Sequence, residues 1–305
     1  MRWEPGQESD NIEDRRDEGG GGGGGGGFSG GGIRLGLGGT VVVLALSLVF
    51  GRNFFSVLGA TPGVSPAPQV GPGPGGGPAP AAGARRPRSA SEEHLVEFVS
   101  FVLDDVQKTW QQELPAQRQV GYRDAKLVLF SNGIRSGCGF AETEMGPFYC
   151  PADRKVYIDL GFYQELRTRF GAPGEFAEAY VIAHEIGHHV QDLLGIEARV
   201  RRAQQQNPAQ QNHLSVRMEL QADCLAGVWG HSTAGRNILE PGDLESGLTA
   251  AAAVGDDRLQ KQATGRVNPE RWTHGSSAER VAWFKRGFAS GRIDDCDTFT
   301  QPDPN

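Results

Sequence analysis

The chain has 305 residues and a formal net charge of −7, and 25 of its 45 glycines and 9 of its 18 prolines fall within the first 90 positions. Residues 91–305 hold 22 Lys and Arg against 30 Asp and Glu, a balance that excludes nucleic acid as the main partner, because phosphate binding needs clustered cations. Four cysteines are too few for a small disulfide scaffold, and a body of about 215 residues suffices to bury one core.

Residues 1–32 run from a charged stretch into nine consecutive glycines, Gly19 to Gly27, with little to bury, and read as a disordered polar tail. From Leu35 to Phe50 there are sixteen residues without a charge, so 33–52 reads as a single membrane anchor near the short end of the ~17–25 residues a span needs. The polar stretch ahead of it is too long for the n-region of a cleaved signal peptide. Arg15, Arg16 and Arg34 on one flank against Arg52 on the other predict a single-pass protein of the cell membrane, with a cytoplasmic N-terminus and the body outside the cytoplasm. Residues 53–90, rich in Pro, Gly and Ala, read as a linker.

In the body, Ser91 ahead of Glu92 and Glu93 reads as a helix N-cap. Leu95, Phe98, Val99, Val102, Val106 and Trp110 then recur at helical spacing over 92–113. Lys126 to Phe130 has strand length, and Pro147–Tyr149 with Lys155–Leu160 reads as an antiparallel pair around Pro151-Ala152-Asp153. Helices are expected over 161–170, 175–194, 214–229, 243–254 and 278–288, with Gly195 ending the second and a capping box, Ser276 to Glu279, opening the last. The prediction for 91–305 is a mainly helical α+β domain with a small antiparallel sheet. Four cysteines allow three pairings; the local pair Cys138–Cys150, leaving Cys224–Cys296, is expected for an exported body, against four reduced thiols in a cytosolic one.

His184-Glu185-Ile186-Gly187-His188 carries the chemistry. Residues four apart on a helix face the same way, so His184 and His188 can close on one Zn²⁺, while Glu185, about 100° round, suits a general base acting on metal-bound water. Metzincins would have Gly and His where Gln191 and Leu194 stand, which excludes that subclass. Glu219, on a second helix, is the candidate third ligand, with Asp223 one turn on as the carboxylate holding a ligand imidazole. His274 opens the last helix, either to donate to an oxyanion or to serve the helix cap. His189 points away from His184 and suits packing. Val156–Leu160 is a candidate edge strand for an extended peptide. No organic cofactor is called for.

These residues resemble a known family. Met1-Arg2-Trp3, Ser9-Asp10-Asn11-Ile12-Glu13-Asp14-Arg15-Arg16, Gly137-Cys138-Gly139, Gly146-Pro147-Phe148-Tyr149-Cys150-Pro151, His184-Glu185-Ile186-Gly187-His188-His189, Glu219-Leu220-Gln221-Ala222-Asp223-Cys224 and Thr273-His274-Gly275 look like the bacterial neutral zinc metallopeptidases. The resemblance implies a membrane-anchored, gluzincin-like enzyme of zincin-like fold, with His184, His188 and Glu219 on zinc, Glu185 catalytic, and polypeptide as substrate. The chain is similar at greater distance to heat-shock and prenyl-protein proteases that share HExxH followed by ExxxD, though their several membrane spans are missing here. The competing expectation is a non-catalytic envelope protein with a structural or vestigial zinc site.

Overall fold

The computed structural model describes residues 1–6, 8–18 and 88–304. The expected anchor at 33–52 and nearly all of the linker at 53–90 lie outside these residues. Among the described residues no helix is long and apolar enough to cross a membrane.

The tail expected to be disordered over 1–32 is ordered in its described part, because its few apolar residues find partners. Met1 is buried in the core, Ile12 packs against it, and the Trp3 ring lies 5.3 Å from that of Phe98. Ile12–Asp14 forms β1, which pairs in parallel with β2, Lys126–Phe130. β2 also runs parallel to β6, Lys155–Asp159, with β5, Phe148–Cys150, antiparallel on its far side. The order β1-β2-β6-β5 makes a mixed sheet rather than the antiparallel one expected. Alternation along a strand reports its faces and not its partner, so the parallel pairing was not readable. The predicted β5–β6 pair is present. β6 is nonetheless interior, which removes Val156–Leu160 as an edge strand and leaves β5 as the edge on that side.

Between β2 and β5, Gly133–Ser136 (β3) and Gly139–Glu142 (β4) form a separate hairpin that the sequence reading did not resolve into strands. Cys138 at its turn is bonded to Cys150 at the end of β5, and Cys224 is bonded to Cys296, the pairing expected.

Helix α1, Ala90–Arg118, has its N-cap two residues before the expected Ser91: Ser89 accepts from the Glu92 amide and completes a capping box with its side chain. It runs past the expected end at 113, through Pro115, to a left-handed Gln119. Helix α2 is Gly161–Thr168 and α3 is Glu175–Leu193. α3 is buried on nearly every face between α1, the sheet and the later helices, which is why its sequence is apolar almost throughout. The next helix, α4 (Ile196–Gln206), was not expected; its arginine- and glutamine-rich sequence buries only Val200. α5 is Gln211–Gly235, α6 Asp243–Ala253, and α7 Asp256–Thr264, a short polar helix also missed. α8 is Ser277–Ser290, opened by the predicted Ser276–Glu279 capping box.

α5 and α8 approach backbone to backbone. A Cβ on Gly287 would lie 1.9 Å from the Cys224 carbonyl oxygen, and one on Gly227 would lie 2.2 Å from that of Phe284. A third glycine, Gly187, brings α3 onto α5, where its Cβ would lie 3.0 Å from the Ala222 oxygen. These contacts set the spacing at the site described next.

Candidate metal centre

Helix α3 projects His184 and His188 toward α5, and Glu219 of α5 meets them: one donor atom from each lies within 4.8 Å of the others. His184 Nε2 is 3.2 Å from Glu219 Oε2, and His188 Nε2 is 3.6 Å from Glu219 Oε1. The outer ring nitrogens are both anchored. His184 Nδ1 lies 2.9 Å from Asp223 Oδ1, and His188 Nδ1 lies 2.8 Å from Gln191 Oε1. Both partners present oxygens, so each Nδ1 carries a hydrogen and donates. In the neutral imidazoles this leaves the Nε2 lone pairs facing Glu219. Two such nitrogens and one carboxylate are the donor set of a catalytic zinc site. The residues present therefore fit that ion.

The support behind the two imidazoles is more extensive than the single carboxylate expected. Asp223 is fully buried and accepts four hydrogen bonds from three side chains: His184, the Tyr180 hydroxyl, and Arg280 through Nε at 2.7 Å and Nη2 at 2.9 Å. Arg280 also donates to Tyr180 Oη at 3.1 Å and to the Val254 carbonyl at 3.3 Å. Behind the other imidazole, Gln191 Nε2 donates to the Met218 carbonyl and to Gln221, whose own amide reaches the Cys296 carbonyl. The His188 ring is thus tied to α5 and to the disulfide-linked C-terminal turn.

Burial and charge act against each other here. Burial opposes protonation of His184, but Asp223 and Glu219 outweigh it and push its pKa up to about 10. Burial likewise opposes a charged Glu219, and His188 and His184 hold its carboxyl well below the usual range. Metal and proton compete for the same nitrogens. Glu185 is 7% exposed, and burial raises its pKa despite the neighbouring imidazoles.

His274 precedes α8 and is not part of the donor cluster. Asp256, at the start of α7, holds it: Oδ2 accepts from the backbone amides of Thr273 and His274 at 2.6 Å each and of Gly275 at 3.1 Å, and Oδ1 lies 3.3 Å from His274 Nδ1. Burial disfavours the imidazolium, but Asp256 prevails and the pKa is raised. His189 is buried on the opposite side of α3, between the Arg123 carbonyl at 2.6 Å and Tyr149 Oη at 3.0 Å, and does not join the site.

Arg280, Tyr180, Gln191 and Asp256 were not among the predicted site residues. The one available signal was Arg280, a cation on the face of an otherwise apolar helix turn, and such a charge ordinarily reads as solvated.

The family described as "Putative neutral zinc metallopeptidase" matches residues 1–299. "Uncharacterized protein YpfJ" of Escherichia coli K12 is 47% identical over 301 residues, covering 98% of this chain and 99% of its own length. "Uncharacterized protein Rv2575" of Mycobacterium tuberculosis H37Rv is 47% identical over 211 residues, covering 66% of this chain and 69% of its own. No solved structure matches. With two histidines and a glutamate brought together from α3 and α5, and a family match running through almost its whole length, the chain belongs to the neutral zinc metallopeptidase family.

Proposed function

We propose that the protein is a zinc-dependent peptidase hydrolysing polypeptide, with His184, His188 and Glu219 as metal ligands and Glu185 as the catalytic acid and base. The observation that carries this reading is the convergence of the three donors with both outer imidazole nitrogens tethered, beside a buried carboxylate one residue along α3. Bound there, zinc supplies a Lewis acid that polarises a substrate carbonyl and lowers the pKa of water. Glu185 takes the proton from the attacking water and delivers it to the departing amine. Asp223 fixes the His184 ring and Gln191 the His188 ring, so the ligand nitrogens keep their aim. Asp256 favours the imidazolium of His274, which in this reading donates to the developing oxyanion through Nε2–H. The two disulfides support a body that works outside the reducing cytoplasm.

Hydrolysis of unfolded casein by the purified chain, with zinc content measured in parallel, tests this. Glu185→Ala is expected to abolish hydrolysis while zinc stays near one ion per chain, and Glu219→Ala to lose the zinc. Activity surviving in Glu185→Ala overturns the mechanism, zinc retained by Glu219→Ala removes the third ligand, and a zinc-loaded wild type that cleaves nothing favours a non-catalytic site.

A further inference from the structure

We infer that residues 1–18 and the body from Arg88 onward lie on the same side of any membrane the chain meets while β1 is in the sheet. The contacts that join the two parts are numerous and of several kinds. Backbone bonds run from the Leu127 amide to the Asn11 carbonyl and from the Arg15 amide to the Leu129 carbonyl, each 2.8 Å. Lys155 of β6 reaches across β2 to both carboxylate oxygens of Glu13, at 2.7 and 2.8 Å, and Lys126 Nζ donates to the Asp10 carbonyl at 2.7 Å. Ser9 bonds Asp104 on α1, the Arg2 amide donates to the Ile238 carbonyl, and Trp3 donates to Glu175 at the start of α3.

The ends of the intervening segment also meet. Arg88, where the described chain resumes, pairs with Asp14 of β1 and lies 4.0 Å from Glu8. The chain therefore leaves and re-enters the body at one place. A single crossing between residues 33 and 52 would put these partners on opposite faces of a hydrocarbon layer ~30 Å thick. Leaving and returning on one face through two helical spans would need ~40 apolar residues. Leu35 to Phe50 supplies sixteen uncharged ones.

The arginines that favoured a cytoplasmic N-terminus are also accounted for otherwise. Arg16 is buried and doubly bonded to Asp14, at 2.9 and 2.7 Å, and Arg15 pairs with Glu18 at 2.6 Å. With those two engaged in the fold, the flanks of the apolar stretch are left with Arg34 against Arg52, which carries no orientation.

The cysteines make the test clean, since among the described residues none is free. In the full chain, Glu4→Cys reports on the N-terminal segment and Lys108→Cys on α1, both positions being exposed. Asp10→Cys and Glu93→Cys, also exposed, repeat the reading in case either first variant folds poorly. Spheroplasts expressing each variant are treated with a membrane-impermeant maleimide before and after lysis. The expected result is the same fold-change on lysis for both members of a pair: both react beforehand, or both only afterwards. One member reacting beforehand and the other only after lysis overturns the inference. The readout is labelling and not hydrolysis, so it stands whatever the outcome for peptidase activity.

Discussion

Removing the Arg280 side chain isolates the support behind His184. Arg280 is 3% exposed and Asp223 fully buried, and the two are joined by a pair of hydrogen bonds at 2.7 and 2.9 Å. In Arg280→Met the helix retains a side chain of similar reach, but Asp223 keeps only Tyr180 and His184 as donors. A buried ion pair broken from one side costs about 3–5 kcal/mol, because the remaining charge stays desolvated and uncompensated. Asp223→Asn strands Arg280 in the same way and carries a similar expected loss. The double variant leaves no stranded charge, so its loss should fall well short of the two single losses combined. Urea denaturation of the three variants and wild type measures the coupling, and chelator competition measures zinc affinity, expected to fall by ~10–100-fold in Arg280→Met as the Asp223–His184 contact loosens. Two results would refute the reasoning: a loss below about 1 kcal/mol in Arg280→Met, or single losses that add to the double within ~0.5 kcal/mol.

Gly287→Ala should cost more than about 3 kcal/mol, since its Cβ meets a backbone oxygen at 1.9 Å and α5 and α8 must part; Gly235→Ala, with nothing within 4 Å, is the control expected to change stability by no more than ~1 kcal/mol in thermal unfolding. Burial lifts the Glu178 pKa from 4.5 to about 7, against the opposing pull of its ion pair with Arg167. The folded state holds that proton the more tightly, so the stability it contributes is fully present below pH 4.5 and is lost as pH rises through about 7. Glu178→Gln keeps a bonding partner for Arg167 without the charge, and its stability relative to wild type should rise by on the order of 3 kcal/mol between about pH 5 and about pH 8; a pH-independent difference contradicts the assignment. Replacing Cys224 and Cys296 together by Ser opens a loop with a sequence separation of 72 and should cost about 4 kcal/mol, against about 3 kcal/mol for Cys138 with Cys150 at a separation of 12, as read from urea midpoints without reductant.

Several features were legible because they are properties of one local segment. His184 and His188 share a face at four-residue spacing whatever surrounds the helix, and Glu185 follows from the same geometry. The Ser276–Glu279 capping box and the turn between β5 and β6 are local in the same sense, and both are present. The first helix was found too, although its cap moved from Ser91 to Ser89, because each serine has an acid within a turn and only the backbone path selects between them. The pairing of Cys138 with Cys150 was favoured by proximity along the chain, whereas Cys224–Cys296 followed only by elimination.

The sequence by itself determined the residue types of the donor cluster, the helix that carries two of them, and the glycine-rich division of the chain. Only the tertiary structure decided that Arg280, 57 residues beyond Asp223, neutralises the carboxylate behind His184, and that Gln191 and Asp256 hold His188 and His274. It alone decided that β6 is interior and that β1 joins the sheet through a parallel pairing more than a hundred residues away in sequence. The physical reason is the same in each case. A periodic pattern records which face of a segment is buried, but a buried charge or a strand edge is stabilised by whichever distant partner the packing brings to it, and no local pattern names that partner.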